Sequence, residues 1–311
     1  MKWVRAFAPA TVANVCCGFD ILGFAIDGKG DEVEVRLSDT PGVRMVKITG
    51  DDGKLPMESN RNTCSVAVQS YLAVLGKNVG VEIELYKNLP LGSGMGSSAA
   101  SAAAALVAIN MLMGEPMTRK ELVPHAMEAE RIACGTGHAD NVAPSILGGF
   151  VLIRDYHPLD LREVRFPREL CCVLVHPHLE VKTEDSRRIL RNSVTIRDAV
   201  SQSANAAGLM IGLMTSDFEL IGKCLKDAIA EPVRSVFIPG FDQLKVVAKD
   251  AGALGCGISG SGPTVFALCN DQGVAKKVGE RMVEHFGLSH LKSDLIVSSV
   301  NSDGAKVLAK E

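Results

Sequence analysis

A glycine-rich segment at residues 90–100 has the clearest chemical pattern in the sequence. It reads Pro90-Leu91-Gly92-Ser93-Gly94-Met95-Gly96-Ser97-Ser98-Ala99-Ala100. Glycines at alternate positions let the backbone adopt positive φ angles and approach a ligand without Cβ clashes. The segment runs into an alanine-rich stretch that predicts a helix over Ser97–Met113. Several N–H groups and the positive end of the helix dipole would then point at one place, which predicts an anion site.

The same spacing is also typical of a tight turn in which Ser97 caps the helix. The segment lacks the Gly-x-x-x-x-Gly-Lys pattern of a P-loop. It also lacks the acidic residue that completes the dinucleotide-binding fingerprint. From the residues alone, the anion site and the plain turn both remain open. In the anion-site interpretation, the hydroxyls of Ser97 and Ser98 suit phosphate or Mg²⁺.

A polar loop and the helix before it contain a second group of candidates. His138, Asp140 and Asn141 carry short polar side chains close together in sequence. They could hold an amine and a hydroxyl, or they could simply hydrogen-bond one another. Glu130 lies on the preceding predicted helix, where a glutamate is most often a solvated surface residue.

Four further residues have both a chemical and a structural interpretation. Asn14 suits an Asx-turn, and Asn62 suits the N-cap of the helix that follows it. Arg187 and Arg234 are far apart in sequence, and each could lie on the surface. Brought together, their planar guanidinium groups would suit a carboxylate.

The elements that must position these residues are predicted by apolar periodicity and by helix end signals. Their order is α+β rather than a strict alternation of strand and helix. The charged stretch 155–169 is the best candidate for a connection between two lobes, and Pro124 predicts a kink or restart in its helix. Strands are predicted at 2–8, 31–37, 81–85, 149–154, 171–176, 264–269 and 294–299. Helices are predicted at 63–75, 97–113, 118–134, 186–190, 197–214, 218–229, 242–251 and 275–285.

Three separated motifs resemble those of the superfamily of galactokinase, homoserine kinase, mevalonate kinase and phosphomevalonate kinase. The segment 90–100 resembles the phosphate loop of that superfamily. Residues 8–14, with Gly18-Phe19-Asp20, resemble the N-terminal motif, and residues 255–264 resemble the C-terminal glycine-rich motif. They occur in the family's order and span most of the chain, which makes chance agreement remote.

Details within the superfamily resemble the homoserine kinases. They include Gly18-Phe19-Asp20, the segment 138–144 and the segment Glu231-Pro232-Val233-Arg234. The resemblance implies a two-lobed α+β kinase with lobes at 1–165 and 166–311 and the active site in the cleft between them. It implies ATP-dependent phosphorylation of the hydroxyl of L-homoserine to O-phospho-L-homoserine, a step of threonine biosynthesis, with ATP and Mg²⁺ as cofactors. The departures from the family pattern are small: Cys16-Cys17 and Met95.

The resemblance also implies roles for individual residues. Residues 90–100 and Asn62 would bind the nucleotide, and Ser98 and Glu130 would hold Mg²⁺. Asp140 and Arg187 would be catalytic, with Asp140 either a general base or a group that positions the hydroxyl. The predicted acceptor site consists of Asn14, Asp20, His138, Asp140, Asn141, Arg187 and Arg234. The glycines at 255–262 are expected to support the phosphate loop rather than to contact ligand.

Two rival functions remain. A kinase for mevalonate is the first, because mevalonate also carries a carboxylate; the amine-binding potential of residues 138–141 favours homoserine. The second is a nucleotide-binding regulator without turnover. The presence of Ser98, Glu130 and Asp140 favours an enzyme instead.

Composition limits the function classes further. The chain has 311 residues and a formal net charge of −3, which gives no electrostatic reason to expect nucleic acid or an anionic membrane as partner. Nine cysteines, an odd count without a Cys-x-x-Cys pair, suit a reducing compartment. No apolar stretch reaches the roughly 20 residues that span a bilayer. We therefore expect a cytoplasmic protein, with a homodimer compatible with the family.

Overall fold

The computed structural model describes residues 1–181 and 183–311, apart from the side chains of Cys134 and Thr183. Within that part of the chain the fold is α+β, with two sheets and helices packed on both. The strands are β1 (Trp3–Ala13), β2 (Leu22–Ser38), β3 (Gly42–Thr49), β4 (Gly80–Tyr86), β5 (Phe150–Tyr156), β6 (Leu159–Val164), β7 (Cys171–Pro177), β8 (Gly255–Ile258), β9 (Val265–Cys269), β10 (Ser293–Ser299) and β11 (Lys306–Lys310).

Ten α-helices are present in the described part of the chain. They are α1 (Thr63–Val74), α2 (Ser97–Leu112), α3 (Arg119–Cys134), α4 (Val142–Leu147), α5 (Thr183–Arg188), α6 (Ile196–Thr215), α7 (Phe218–Cys224), α8 (Glu231–Arg234), α9 (Phe241–Asp250) and α10 (Gln272–Leu288). In the part of the chain that is described, none of them is long and apolar enough to cross a membrane.

The first sheet has seven strands, in the order β11-β1-β2-β4-β3, with β5 paired to β2 and β6 paired to β5. All of its pairings are antiparallel except that of β3 with β4. Helices α1 to α4 pack together against it, and α2 is central to that layer. The alanines from Ala99 to Ala105 are fully buried on every side of α2. Their small side chains let β1, β2 and the neighbouring helices approach this helix closely, which fixes its N-terminus.

The second sheet has four antiparallel strands in the order β10-β7-β9-β8. One face packs on α9 and α10 through Val173, Val265 and Ala275 in a separate apolar core. The other face contributes Leu174 and Phe266 to the core of the first sheet. A bridge between Ile26 and Val300 connects the two sheets, and the first core extends from one to the other through Leu174 and Phe266.

Most of the predicted elements are confirmed, including α3 with a capping box between Thr118 and Glu121. The prediction of a restart at Pro124 is wrong, because α3 continues through it. Helix α7 ends at Cys224 rather than at residue 229. Residues 155–164, predicted as part of a connection, belong to the β5–β6 hairpin, and only 165–170 lead to the second sheet.

Six elements were missed: β3, β6, β8, α4, α8 and β11. Strand β11 pairs antiparallel with β1 in the first sheet, with Val4 opposite Lys310. The last strand of the chain therefore crosses back to the sheet where the chain begins. Its five residues include only two large apolar side chains, so tertiary pairing rather than local pattern makes it a strand.

Candidate active site

The glycine-rich loop before α2 has a left-handed backbone at three alternate positions. The φ angles are +62° at Gly92, +77° at Gly94 and +66° at Gly96, a region that L-residues with side chains seldom adopt. Gly96 is the N-cap of α2, and no side chain caps this helix. The alternative in which Ser97 is the cap is therefore wrong. The first turn of α2 faces the cavity with its N–H groups uncovered by any capping side chain, as an anion site requires.

The glycine-rich loop packs closely against Thr11 and against the second glycine-rich segment, residues 255–262. A Cβ atom on Gly94 would lie 2.5 Å from the carbonyl oxygen of Ser259 and 2.7 Å from that of Gly262. The Ser259 hydroxyl donates to the Gly94 carbonyl at 2.7 Å, and a Cβ on Gly96 would overlap Thr11. The second glycine-rich segment therefore supports the phosphate-loop candidate, as predicted. Gly260 and Ser261 of that segment, which were expected to give support only, also line the cavity.

A buried ion pair lies beneath the loop. Lys87 Nζ contacts Asp31 Oδ2 and donates to the Ser97 carbonyl at 2.6 Å and to Ser101 Oγ at 2.8 Å. The other oxygen of Asp31 accepts from the N–H groups of Asn88 at 2.9 Å and Leu89 at 3.0 Å. All three ammonium protons and both carboxylate oxygens thus have partners, which is the condition for a tolerable buried pair. The network ties β2 and β4 to the first turn of α2.

A second cluster of charged side chains lies across the cavity from the loop. Arg187 forms a two-pronged pair with Asp20, at 3.1 Å from Nη2 to Oδ1 and 3.3 Å from Nη1 to Oδ2. His138 Nδ1 lies 3.5 Å from Asp20 Oδ2. Arg234 is buried; it donates to the carbonyl oxygens of Ser186 at 3.2 Å and Gly260 at 3.0 Å. Both arginines thus reach one region, as the resemblance implied.

The turn after β1 positions this cluster and is strained. Asn14, Val15 and Cys16 have φ angles of +69°, +43° and +59°, which is unfavourable for a β-branched valine. Asn14 Oδ1 accepts from the Asp20 N–H at 3.0 Å, and its Nδ2 donates to the Gly260 carbonyl at 3.0 Å. Asp20 is six residues further along the chain, so this contact is not an Asx-turn, and that interpretation of Asn14 is wrong. Asn14 also lines the cavity.

Asp140 is buried beside this cluster and has an unusual proton affinity. Burial, and then the negative charge of Asp20, raise the pKa of Asp140 to about 7, although Arg187 opposes the shift. Burial also lowers the pKa of His138, with Asp20 acting in the opposite direction. At neutral pH His138 is therefore mainly neutral, while Asp140 is divided between its protonated and ionised forms. Such a carboxyl in a cleft is typical of functional sites.

One cavity of about 670 Å³ joins the two groups. Of the predicted nucleotide-loop residues, Pro90, Met95, Ala99 and Ala100 do not line it; Met95, Ala99 and Ala100 are buried in the core. The predicted residues that do line it are Asn14, Asp20, Asn62, Leu91, Gly92, Ser93, Gly94, Gly96, Ser97, Ser98, Glu130, His138, Asp140, Asn141, Arg187 and Arg234. The structure thus brings every predicted acceptor-site residue and both predicted metal ligands to the cavity that holds the loop.

Comparison with known proteins identifies the family of this chain. Residues 62–149 match the GHMP kinases N terminal domain, and residues 209–288 match the GHMP kinases C terminal domain. A homoserine kinase of Chlorobium phaeobacteroides is 51% identical, with 99% of this chain and 100% of that protein covered. The homoserine kinase of Arabidopsis thaliana is 44% identical over 98% of this chain and 84% of its own. This chain belongs to the homoserine kinases of the GHMP kinase family.

Solved structures agree. The crystal structure of homoserine kinase from Cytophaga hutchinsonii superposes with a TM-score of 0.96 at 53% identity, covering 99% of this chain and 98% of that one. A mevalonate kinase of L. major, at 14% identity and a TM-score of 0.72 over 96% of both chains, shares the fold. The family expectation is confirmed, and so is the α+β fold class.

Sequence reasoning missed three residues that shape the site. Lys87 directly follows β4, Asp31 lies within the adjoining strand β2, and both looked like ordinary alternating charges. Tyr156 donates its hydroxyl hydrogen to the Asp20 carbonyl at 2.7 Å and accepts from the Ala139 N–H at 3.3 Å. It therefore links the turn that carries Asp20 to the loop that carries Asp140. Nothing in the sequence around Tyr156, a single tyrosine at the end of a strand, predicts this link.

Asn62 is the N-cap of α1, as its structural interpretation predicted. Its Oδ1 accepts from the Cys64 N–H at 3.0 Å, which makes it the N-cap of α1, and its Nδ2 donates to the Pro56 carbonyl at 2.9 Å. It also lines the cavity near Thr63. Asn141 likewise accepts from the Thr11 hydroxyl at 2.7 Å while lining the same space.

Proposed function

We propose that this chain transfers the terminal phosphoryl group of ATP to the hydroxyl of L-homoserine and releases O-phospho-L-homoserine and ADP. One observation carries the proposal: a single cavity joins an uncapped helix N-terminus behind a glycine loop to a charged cluster containing Asp20, Arg187 and Arg234. The first end suits phosphates, and the second suits an amino acid. The step belongs to threonine biosynthesis.

The nucleotide phosphates would lie against the loop from Gly92 to Ser98. Backbone N–H groups at the start of α2 would donate to phosphate oxygens, and the helix dipole would favour their charge. The adenine base would lie beyond them, where Leu55, Pro56 and Ile132 line the cavity beside Asn62. Because the Asn62 amide is engaged in capping α1 and contacting Pro56, we assign it to shaping that wall.

The acceptor would bind in the charged cluster. Arg187 and Arg234 would hold the carboxylate of homoserine, and Asp20 would hold its ammonium group. Arg187 and Asp20 satisfy each other in the structure, so a zwitterion would replace one internal pair by two pairs to the ligand. Asn14, His138 and Asn141 line the same end and would fix the remaining polar atoms.

Asp140 would act at the reacting hydroxyl, either as a base or by positioning it. With a pKa raised to about 7 by burial and by Asp20, a large fraction of the carboxyl is ionised at neutral pH and can accept a proton. Arg187 lies close enough to oppose that shift and would stabilise charge near the transferred group. Phosphoryl transfer needs little early proton removal, so the structure is compatible with both roles.

The donor set near the loop fits Mg²⁺. Ser98 and Glu130 supply hard oxygen atoms and line the same cavity. Among the described side chains there is no group of three or more His, Cys, Asp or Glu residues arranged for a metal. Mg²⁺ typically takes one or two protein oxygens and completes its shell with phosphate and water. Mg²⁺ bound there would neutralise charge on the phosphate oxygens.

The organisation of the chain is proposed along with its function. We assign lobes to residues 1–165 and 166–311, with β11 returning to the sheet of the first lobe. We place the protein in the cytoplasm, and we propose that it forms a homodimer. The buried state of the eight cysteines whose side chains are described fits a reducing compartment.

A coupled assay of ADP release tests the function. Purified chain is supplied with ATP and Mg²⁺, and with homoserine, mevalonate, galactose or no acceptor. We expect appreciable turnover with homoserine alone. Equal rates with mevalonate would favour the rival kinase, and ATP binding without turnover on any acceptor would favour a regulator. Phosphate-31 spectra of the product identify the phosphorylated hydroxyl.

A further inference from the structure

A buried glutamine on α6 forms a hydrogen-bonded junction outside the cavity. Gln202 is 7% exposed and does not line the cavity. Its Nε2 donates to the Cys17 carbonyl at 3.0 Å and to Asp227 Oδ1 at 3.3 Å, and its Oε1 accepts from the Ala228 N–H at 2.8 Å. Both ends of the amide therefore have partners, as a buried polar group requires. Three separate segments of the chain meet at this side chain.

Asp227 fixes the start of α8. Its Oδ1 accepts from the N–H groups of Ile229 at 2.8 Å and Ala230 at 3.0 Å, and its Oδ2 accepts from the Glu231 N–H at 3.0 Å. Helix α8 has four residues, and Arg234 is the last of them. A helix this short has little stability of its own, so the position of Arg234 depends on the contacts that hold the preceding loop.

The other end of the junction holds the turn after β1. Cys17 lies three residues before Asp20, and it directly follows the left-handed backbone of residues 14–16. A strained turn keeps its conformation only when its surroundings fix it. The hydrogen bond from Gln202 to the Cys17 carbonyl is one of those fixing contacts.

Inside the cavity the same two segments meet a second time. The Gly260 carbonyl accepts from Asn14 Nδ2 and from Arg234 Nη1, each at 3.0 Å. The Arg234 guanidinium also lies over the ring of Phe19, 5.3 Å from its centroid. The turn after β1 and helix α8 are thus connected at the cavity by Gly260 and away from it by Gln202.

Asp227 also acts on Arg234 through its charge. Burial lowers the pKa of the Arg234 guanidinium, and the positive charge of Arg187 lowers it further. The negative charges of Asp20, Asp227 and Asp140 oppose both effects. Two neighbouring guanidinium groups need such compensation, so the junction supplies charge to the acceptor end as well as hydrogen bonds.

We propose that Gln202 and Asp227 are positioning residues of the acceptor end. They hold the turn that carries Asp20 and the helix that carries Arg234 at the separation that the acceptor requires. The inference rests on the proposed function, in which those two charged groups bind homoserine. Neither Gln202 nor Asp227 lines the cavity, so both act through other residues. A residue that supports only the fold would lower stability without affecting one substrate more than the other.

Initial rates with each substrate varied in turn test the role of Gln202. Gln202→Leu keeps most of the side-chain volume and removes all three hydrogen bonds. We expect the KM for homoserine to rise about tenfold, or ~1.4 kcal/mol, and the KM for ATP to change little. Equal rises of both Michaelis constants would contradict the proposal and leave Gln202 as a residue of the fold.

Asn110→Leu is the matched control. Asn110 on α2 is also 7% exposed and does not line the cavity. Its amide accepts from the Tyr71 hydroxyl at 3.0 Å and donates to the Met117 carbonyl at 2.9 Å. Thermal unfolding should show a similar loss of stability in both leucine variants. A selective rise in the KM for homoserine should occur in Gln202→Leu alone, and the same rise in Asn110→Leu would overturn the proposal.

Asp227→Asn is a milder second variant, because it removes the charge and keeps an oxygen for two of the three N–H groups. It should raise the KM for homoserine roughly 2- to 10-fold, whereas Asp217→Asn, at the N-cap of α7, should not. Combined with Arg234→Lys, the loss from Asp227→Asn should shrink, because both act on one guanidinium. Losses that simply add would contradict the proposal.

The native chain separates this inference from the proposed function. Turnover with homoserine tests the function by itself, before any variant is compared. If mevalonate replaced homoserine as the acceptor, the function would be wrong. The KM for that acceptor, measured against the KM for ATP in Gln202→Leu and Asn110→Leu, would still confirm or contradict the junction.

Discussion

The two ends of the cavity are built on different principles. The nucleotide end is made mainly of backbone, from one short segment, Gly92 to Ser98, that leads into α2. The acceptor end is made of charged side chains from four separate segments, represented by Asp20, Asp140, Arg187 and Arg234. The first presents uncapped N–H groups, and the second presents an internal ion pair between Arg187 and Asp20.

This difference predicts different sensitivities to substitution. A backbone site depends on the path of the chain, so it tolerates changes of side-chain charge nearby but not an added Cβ atom. A side-chain site depends on the geometry of charged groups, so even a substitution that keeps the charge should impair it. The Michaelis constants of the two substrates can separate these effects. Changes at the nucleotide end should affect the KM for ATP, and changes at the acceptor end should affect the KM for homoserine.

The largest effect is expected at Asp140, the carboxyl of the acceptor end that we propose acts at the reacting hydroxyl. Asp140→Asn removes the proton acceptor but keeps the shape of the side chain. Loss of general-base help typically costs ~10²–10⁴-fold in turnover. Binding of ATP, followed by titration calorimetry, should change little, because the nucleotide is held elsewhere. Asp39→Asn, on an exposed turn, is the matched control.

The dependence on pH sharpens this test. If ionised Asp140 is the active form, kcat/KM for homoserine should increase as pH rises through about 7, the value to which burial raises its pKa. That ascending limb should be absent in Asp140→Asn. A loss of only a few-fold at every pH would contradict the base, and would leave Asp140 as a group that positions the hydroxyl.

The next largest effect is expected at Gly94. Gly94→Ala places a Cβ 2.5 Å from the Ser259 carbonyl oxygen at a φ of +77°. Backbone strain of about 1–3 kcal/mol would raise the KM for ATP by roughly 5- to 140-fold at ~1.4 kcal/mol per decade. The KM for homoserine should change far less. Initial rates with each substrate varied in turn provide the measurement.

Gly114→Ala is a matched control for that substitution. Gly114 has a φ of +86°, but no atom lies within 4 Å of its added Cβ. It therefore carries the same kind of backbone strain without the clash and outside the cavity. Equal kinetic effects of the two substitutions would show general destabilisation, and would remove the support for a backbone-built nucleotide end.

A smaller effect is expected from exchanging the arginines of the acceptor end for lysine. Arg187→Lys or Arg234→Lys keeps the charge and loses the two-pronged geometry, so the KM for homoserine should rise about tenfold, or ~1.4 kcal/mol. The KM for ATP should stay nearly constant. Arg188→Lys is the neighbouring exposed control.

Homoserine amide, which lacks the carboxylate, completes a double-mutant cycle with these variants. The amide should be a poor acceptor for the native enzyme. Replacing homoserine by the amide should lower kcat/KM less in each lysine variant than in the native enzyme. If the losses from the arginine substitution and from the missing carboxylate simply add, the arginines do not contact the carboxylate. In that case the pairing of Arg187 with Asp20 would be purely structural.

The same contrast explains what the sequence could predict. The nucleotide loop is contiguous, and glycine spacing followed by alanines carries its geometry locally, so its shape and the helix behind it were predictable. The acceptor residues were placed together only through the resemblance, because no local rule brings Asp20 to Arg187. Lys87, Asp31 and Tyr156 were missed, since their roles come from hydrogen bonds across strands that periodicity does not reveal.

The smallest effect should come from Tyr156, which touches the acceptor end only through other residues. Its hydroxyl joins the Asp20 carbonyl to the Ala139 N–H, and its ring lies edge-on to His138 at 6.2 Å. Burial raises its pKa, so the hydroxyl stays protonated and able to donate. Tyr156→Phe keeps the ring and removes both hydrogen bonds.

We expect Tyr156→Phe to raise the KM for homoserine by roughly 2- to 10-fold, since a hydrogen bond contributes about 0.5–1.5 kcal/mol net. The KM for ATP should not change, and Tyr86→Phe, whose hydroxyl donates to Glu84 at 3.1 Å and which does not line the cavity, should be nearly silent. Combined with Asp20→Asn, the penalty of Tyr156→Phe should shrink, because the tyrosine acts by orienting the turn that carries Asp20. If instead both Michaelis constants rise together while thermal stability falls, the tyrosine supports the fold alone. The acceptor end would then depend only on the charged groups that contact the ligand.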